Sequence, residues 1–326
     1  MSTVESDEKQ TKDDDKSSDI FIWVDVQHKF LADTFDQLLI SPDRKQISRC
    51  LYLAHKIQHA CQDHSMGLLA VLQLNRNPHN QHVKELYAAV LCELIGRQVG
   101  MRPSARLLLL CAAMTQDIGM LDLQEDRLDK QATELTESQR RQIQKHPLNG
   151  LKILEQAGVK DSVWLSAVEQ HHERLDGKGY PQALGGDQIS QAARILALAD
   201  IYVAMARPRG DRSALLPREA MKQIFHSRGE HIDADLAKTL ISVLGTQPPG
   251  SWVRLANNEI AVVIRRSDIP AFPIVGSVIS SQGEHLERAI IRDTGDRSFT
   301  MVEMVKAPFH FNLGALLSVL WPKISD

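Results

Sequence analysis

The chain has 326 residues, and its 38 basic and 41 acidic side chains leave a formal charge of −3. Hydrophobic residues at 43% and charged residues at 24% describe a globular protein able to bury a full core; the near-neutral balance lacks the basic excess of a nucleic-acid or anionic-membrane binder. Four cysteines (Cys50, Cys61, Cys92, Cys111) without a CxxC pair give neither a disulfide framework nor a zinc ribbon, so buried free thiols are expected.

Residues 1–19 carry three lysines against seven acids and almost no apolar side chains, the composition of a disordered acidic tail. They contain no apolar signal core, which makes a cytoplasmic location the expectation. No stretch of the chain approaches the ~18 consecutive apolar residues of a membrane span. Residues 20–74 are expected to form an N-terminal helical region. Within it, Ser41-Pro42-Asp43 predicts an N-cap with proline at the first helical position, opening a helix that runs to about Cys61. Met66–Leu74 reads as a further short helix.

Apolar positions at Val83, Leu86, Tyr87, Val90, Leu91, Leu94 and Ile95 recur at steps of three and four, predicting an amphipathic helix from His79 closed by Gly100. Arg106–Thr115 reads as a buried helix, followed by helices over Ser138–Ala157 and Asp161–His172. Residues 173–190 contain four glycines and Pro181, which predict an irregular loop. Helices are expected again over Gln191–Ala206, Pro217–Arg228 and Asp233–Leu244. Beyond Gln247-Pro248-Pro249-Gly250 come short β-branched runs, Ala261–Ile264 and Ile274–Ile279, so 250–326 is expected to be a small β-containing region. The fold class is mainly α, and the low aromatic content of 5% agrees with helix packing on Leu and Ala.

Inside the helical part, imidazoles and carboxylates recur about once per predicted helix: His79, Asp117, His146, His171-His172 and Asp200. Helix bundles build metal sites in this way, each helix contributing an inward side chain. Imidazole and carboxylate without thiolate favour iron, manganese, zinc or a similar ion. His55 and His59, with Cys61 and His64 nearby, mimic a second cluster, but histidines at i and i+4 on a polar face read as solvated.

The local sequences are more specific than the spacing. QDIG at 116–119, KHPLNGLKIL at 145–154, HHERLDGKGYP at 171–181 and ARILALADIYVAM at 193–205 follow in that order. Together they resemble the HD-GYP branch of the HD-domain metal-dependent phosphohydrolases, over about residues 75–245. The resemblance implies an HD-domain helical bundle, a centre of two or three divalent metals and hydrolysis of cyclic di-GMP. It makes His79, Asp117, His146, His171, His172 and Asp200 the metal ligands, with Asp117 bridging two ions at the catalytic centre. Lys178, Gly179, Tyr180 and Pro181 fall in the loop associated with substrate and with signalling-protein contacts. Arg209 and Arg212 keep the two arginines of an Arg-Pro-Tyr-Arg pattern and are substrate-binding candidates. Residues 248–255, PPGSWVRL, look like the extension that follows this domain in some relatives.

Several positions depart from the pattern. Gln116 stands where the HD histidine is expected, Met120 where a lysine follows Asp-Ile-Gly, Asn75 where some relatives carry a glutamate ligand, and Val203 where a second aspartate is frequent. A neutral amide is a poorer ligand than imidazole for a transition metal, and a thioether offers no cation to a phosphate. One metal position, supported by Asp117 and the three later histidines, can persist. The position sharing His79, Gln116, Asp117 and Asp200 is weakened. Two readings stay open: a phosphodiesterase for cyclic di-GMP with weakened or lost activity, using one or two iron or manganese ions, and an inactive module that binds a cyclic dinucleotide or a signalling protein. A bare helical scaffold is the third.

Overall fold

A computed structural model describes residues 17–75, 82–120, 136–207, 214–307 and 316–325. Among these residues the chain is mainly helical. Three N-terminal helices, α1 (Ile20–Ile40), α2 (Arg44–Asp63) and α3 (Ser65–Leu74), precede α4 (Val83–Gln98) and α5 (Pro103–Thr115). Then come α6 (Glu137–Gln156), α7 (Ser162–Gln170), α8 (Gln191–Ala206), α9 (Pro217–His226) and α10 (Ala234–Leu244). The chain then forms a five-stranded sheet from β2 (Trp252–Leu255), β3 (Ile260–Arg265), β4 (Ile274–Ile279), β5 (His285–Asp293) and β6 (Met301–Met304), in spatial order β5-β4-β3-β2-β6.

The structure begins earlier than the expected end of the acidic tail. Ser17–Ser18 forms a short strand, β1, antiparallel to β7 (Ile324–Ser325), and Asp19 caps α1 by accepting from the Phe21 amide at 2.7 Å. Residues 1–16 lie outside the described residues. The start of α2 also differs from expectation. Asp43, not Ser41, is the N-cap: its carboxylate accepts from the amides of Lys45 and Gln46, so Pro42 precedes the cap instead of opening the helix.

Helix α4 is the largest correction to the sequence reading. It is buried around nearly its whole circumference, because α2, α3, α5, α8 and α10 all pack on it and leave little face for solvent. Its few charges are correspondingly partnered: buried Glu93 is held by Arg106 at 3.0 Å, Arg97 at 3.2 Å and Gln58 at 3.1 Å. The four cysteines are free and buried, as composition suggested, and burial pushes the Cys50 thiol up to about 12.

The sheet explains its own apolar run. Along β3, Val262 and Ile264 join the main helical core while Ala261 and Val263 join a second cluster with Val253, Leu255 and Val275. Successive side chains point to opposite faces of a strand, so a continuous run is required where both faces are covered. Helix α3 packs against β3, and the Trp321 indole donates to the Ile264 carbonyl at 3.2 Å, which ties the sheet to the helical part. No helix of the described residues is long and apolar enough to cross a membrane.

Candidate metal centre and adjoining cavity

The site starts with a proline inside a helix. Pro147 lies within α6 and has no amide proton, so the Ile143 carbonyl loses the donor that would normally come from four residues on. The neighbouring His146 takes that carbonyl: its Nδ1 donates to Ile143 O at 2.6 Å. A carbonyl only accepts, so Nδ1 carries the proton and Nε2 presents a lone pair. The proline thereby fixes the tautomer as well as the position of the ring.

His171 reaches the same state by another route. It caps the C-terminus of α7, where the last carbonyls lack helical partners. Its Nδ1 donates to Val168 O at 2.7 Å, again leaving Nε2 as an acceptor. The two Nε2 atoms face each other at 3.1 Å, and His172 completes a group whose ligand atoms all lie within 4.8 Å. Burial holds the His146 pKa down at about 4 and that of His172 well below its ordinary value, so both rings are neutral at pH 7.

Asp117 is delivered to this group by Gly119. The turn after α5 presses onto α6 so closely that a Cβ at Gly119 would stand 2.1 Å from the His146 carbonyl oxygen and 2.5 Å from the Gly150 nitrogen. Only glycine permits the approach. Asp117 Oδ1 then lies 3.4 Å from His146 Nε2. Burial alone would raise the Asp117 pKa, but Lys84, followed by His146 and His171, holds it well below the usual carboxylate range.

On its other side Asp117 meets a cation of the chain itself. Lys84 Nζ lies 2.8 Å from Asp117 Oδ2 and 3.7 Å from Glu85. Gln116 is buried and donates through Nε2 to Asp200 Oδ1 at 3.3 Å, which is how the expected late aspartate joins the site.

The 173–190 loop covers the histidines. Gly179 packs on the loop's own start, where a Cβ would meet Arg174 N and Glu173 Cα at 2.5 Å, and Tyr180 N donates to His172 O at 3.2 Å. That contact lays the Tyr180 ring against His172, with centroids 4.7 Å apart. Buried Glu173 ties down the far side of the loop by accepting from the amides of Gln182 and Leu184. Beside the loop opens a cavity of about 460 Å³, walled by His171, His172, Lys178, Tyr180, Arg194 and His231 among others, a size ordinary for a small-molecule site.

Three acceptors, two imidazole nitrogens and a carboxylate oxygen, thus converge with no proton of their own to place between them. The three histidines form a group that could hold a divalent cation, and Asp117 adjoins it through His146. The residues around Asp200 do not fit one: Gln116 offers Asp200 an amide hydrogen, and Lys84 offers Asp117 an ammonium.

Of the residues singled out by sequence, Asp117, His146, His171, His172, Asp200, Gln116 and Tyr180 come together here. Lys178 is exposed at the cavity's rim, with Gly179 and Pro181 in the same loop. Met120 closes the turn through a backbone bond from its amide to Asp117 O, and Val203 is buried core. Asn75 follows α3, its amide donating to Val71 O and its carbonyl accepting from Arg207. His79, Arg209 and Arg212 lie outside the described residues. His55 and His59 are exposed and join no metal-competent group.

Sequence reasoning missed Lys84 and His82. The signal for Lys84 was present: Lys84-Glu85 are the sole charges in the first two turns of the helix. His82 is buried against Phe35, with ring centroids 4.6 Å apart, and burial holds its pKa at about 4.

Residues 69–236 match the model of a family described as HD domain. A cyclic di-GMP phosphodiesterase of Pseudomonas aeruginosa is 26% identical over 214 residues, which cover 66% of this chain and 51% of that protein. A 3'3'-cGAMP-specific phosphodiesterase of Vibrio cholerae is 33% identical over 160 residues, 49% of this chain and 34% of its own. A cyclic di-GMP phosphodiesterase response regulator of Xanthomonas campestris pv. campestris is 29% identical over 151 residues, with 45% and 39% covered. The chain therefore spans about half, or less, of the length of these curated relatives. Among solved structures, an HDG"Y"P protein from Bdellovibrio bacteriovorus aligns with a TM-score of 0.60 at 17% identity, covering 71% of this chain and 74% of that one. That likeness concerns the fold alone.

Proposed function

The chain belongs to the HD-domain family, in its HD-GYP branch, and on that premise we propose that it is a metal-dependent phosphodiesterase-type protein whose substrate is a cyclic dinucleotide, cyclic di-GMP first. The observation that carries the reading is the pair of histidine Nε2 lone pairs held 3.1 Å apart beside Asp117, at the edge of a cavity of about 460 Å³. His146, His171, His172 and Asp117 would hold one divalent ion, iron or manganese by the chemistry of the donor set. Such an ion supplies a Lewis acid that acidifies water and neutralises charge on a phosphodiester.

The rest falls to the chain. The backbone carbonyls of Ile143 and Val168 keep the two Nδ1 protons in place, so that the ligand nitrogens need no rearrangement. Tyr180 lies over His172 and screens the histidines from bulk water. Exposed Lys178 offers a cation to phosphate oxygens from the cavity rim, while Arg194 in the wall is paired with Asp233 at 3.1 Å.

A second reading has its own support. Gln116 and Lys84 occupy the carboxylates on the far side of Asp117, which favours a slow enzyme or a module that binds the nucleotide without turning it over. In that reading the loop around Tyr180 serves a signalling partner. Turnover of cyclic di-GMP by the manganese- or iron-loaded protein, compared with binding of the same nucleotide, tests the two. Hydrolysis that is abolished by chelation and by His171→Ala supports the enzyme. Binding without hydrolysis supports the module, and neither overturns both.

A further inference from the structure

We infer that Lys84 stands in for a second metal ion: its ammonium is a fixed cation on Asp117, and the centre therefore takes one exchangeable divalent ion instead of two. The inference rests on the metal-centre reading above and deepens it.

The two carboxylate oxygens of Asp117 face different chemistry. Oδ1 points to the lone pair of His146 Nε2, and Oδ2 points to Lys84 Nζ at 2.8 Å. A carboxylate that would bridge two ions is here bridged between the histidine group and an ammonium. The position is not accidental to a mobile surface lysine. Lys84 is only 25% exposed, springs from the first turn of a helix covered on nearly all sides and has a second carboxylate, Glu85, at 3.7 Å.

The neighbouring carboxylate is engaged in the same sense. Asp200 accepts from Gln116 Nε2, and because a carboxylate only accepts, that bond sets which end of the amide faces it. A divalent ion entering between Asp117 and Asp200 would displace Lys84, or approach its positive charge within a few ångströms in a poorly solvated pocket. At such distances like charges repel strongly even at an effective dielectric near 20. Gln116 and Lys84 then act in the same sense, each meeting a carboxylate with a donor. Lys84 also supplies, from α4, the cation that Met120 does not supply from the turn after α5.

Manganese titration with paramagnetic resonance distinguishes the outcomes. The wild-type chain should bind about one manganese ion and show the resolved hyperfine pattern of an isolated ion. Lys84→Met combined with Gln116→His should bind about two and show a spin-coupled pair, while Lys84→Arg should stay at one. Two coupled ions in the wild type would overturn the inference and leave the histidine centre standing. No bound manganese in the wild type would overturn the histidine centre itself. Should the double variant not fold, the wild-type stoichiometry alone decides.

Discussion

Asp117 separates two regions of contrasting chemistry. Toward α6 and α7 the chain presents acceptors: His146 Nε2, His171 Nε2 and a carboxylate oxygen, each with its protons spoken for elsewhere. Toward α4 and α8 the carboxylates of Asp117 and Asp200 meet donors, the ammonium of Lys84 and the amide hydrogen of Gln116, while Gln116 Oε1 is buried there without a hydrogen-bond partner. Converging acceptors are a strained arrangement unless a cation joins them, whereas carboxylates paired with donors are already satisfied. On the proposed reading, a metal motif need not be lost or kept as a block. One side can be rewired into internal hydrogen bonds while the other keeps its ligand geometry.

The sharpest break of that comparison is to remove one residue from each side. His171→Ala deletes a ligand nitrogen, and manganese affinity measured calorimetrically should fall by about 100-fold or more. Gln116→Ala removes a donor that the metal never uses, and affinity should stay within about threefold. Equal losses would mean that the two sides form one shared metal site after all.

His82 is a further buried histidine beside this region, its Nδ1 3.8 Å from Glu85 Oε2. It is buried without the Nδ1–carbonyl bond that orients His146 and His171. Burial, with His28 and Lys84 adding to it, holds its pKa at about 4 against an ordinary value of 6.5. The unfolded chain therefore binds a proton that the folded chain refuses between those two pH values. Stability from this group is complete above about pH 6.5 and is lost as pH falls toward 4, by up to about 3 kcal/mol. Urea midpoints measured from pH 7 to pH 4 should show the decline. His82→Leu should flatten it by about one proton's slope.

The acceptor side depends on a backbone approach that the donor side does not share. A methyl group at Gly119 would overlap the His146 carbonyl, so Gly119→Ala must push α6 from the turn carrying Asp117. The expected cost is about 1–3 kcal/mol in denaturant unfolding, together with weaker manganese binding. Unchanged binding in a folded Gly119→Ala protein would show that Asp117 is not held to the histidines by this contact.

Much of this was legible before any coordinates. The helical periodicity, the break at Gln247–Gly250 and the motif order placed the elements and drew Asp117, His146, His171, His172 and Asp200 toward one site. Helix α4 was misread as amphipathic because periodicity cannot reveal how many neighbours will cover a helix. Lys84 escaped because a pattern defined by ligand residues is blind to a cation that replaces a ligand's ion. The role of Pro147 was equally hidden: a proline inside a helix reads as a breaker, and only the freed Ile143 carbonyl explains why it follows a histidine.

The smallest effect expected concerns the loop and not the metal. Lys178 is exposed at the rim of the cavity, on a loop whose shape is set by Gly179, Glu173 and the Asp176 carboxylate that accepts from the Lys178 amide at 3.1 Å. Its side chain is free of any role in holding that shape, because the contact is made by its backbone. Lys178→Ala should therefore leave manganese affinity and thermal stability unchanged. If a cyclic dinucleotide sits in the cavity, the ammonium contributes a solvent-screened attraction to phosphate of about 1 kcal/mol or less. Nucleotide affinity should fall about two- to fivefold at low ionic strength, and the difference should shrink as salt is raised past the point where the Debye length is about 8–10 Å. A loss that persists unchanged in high salt would place Lys178 in a desolvated contact. No loss at any salt would move the nucleotide away from this rim.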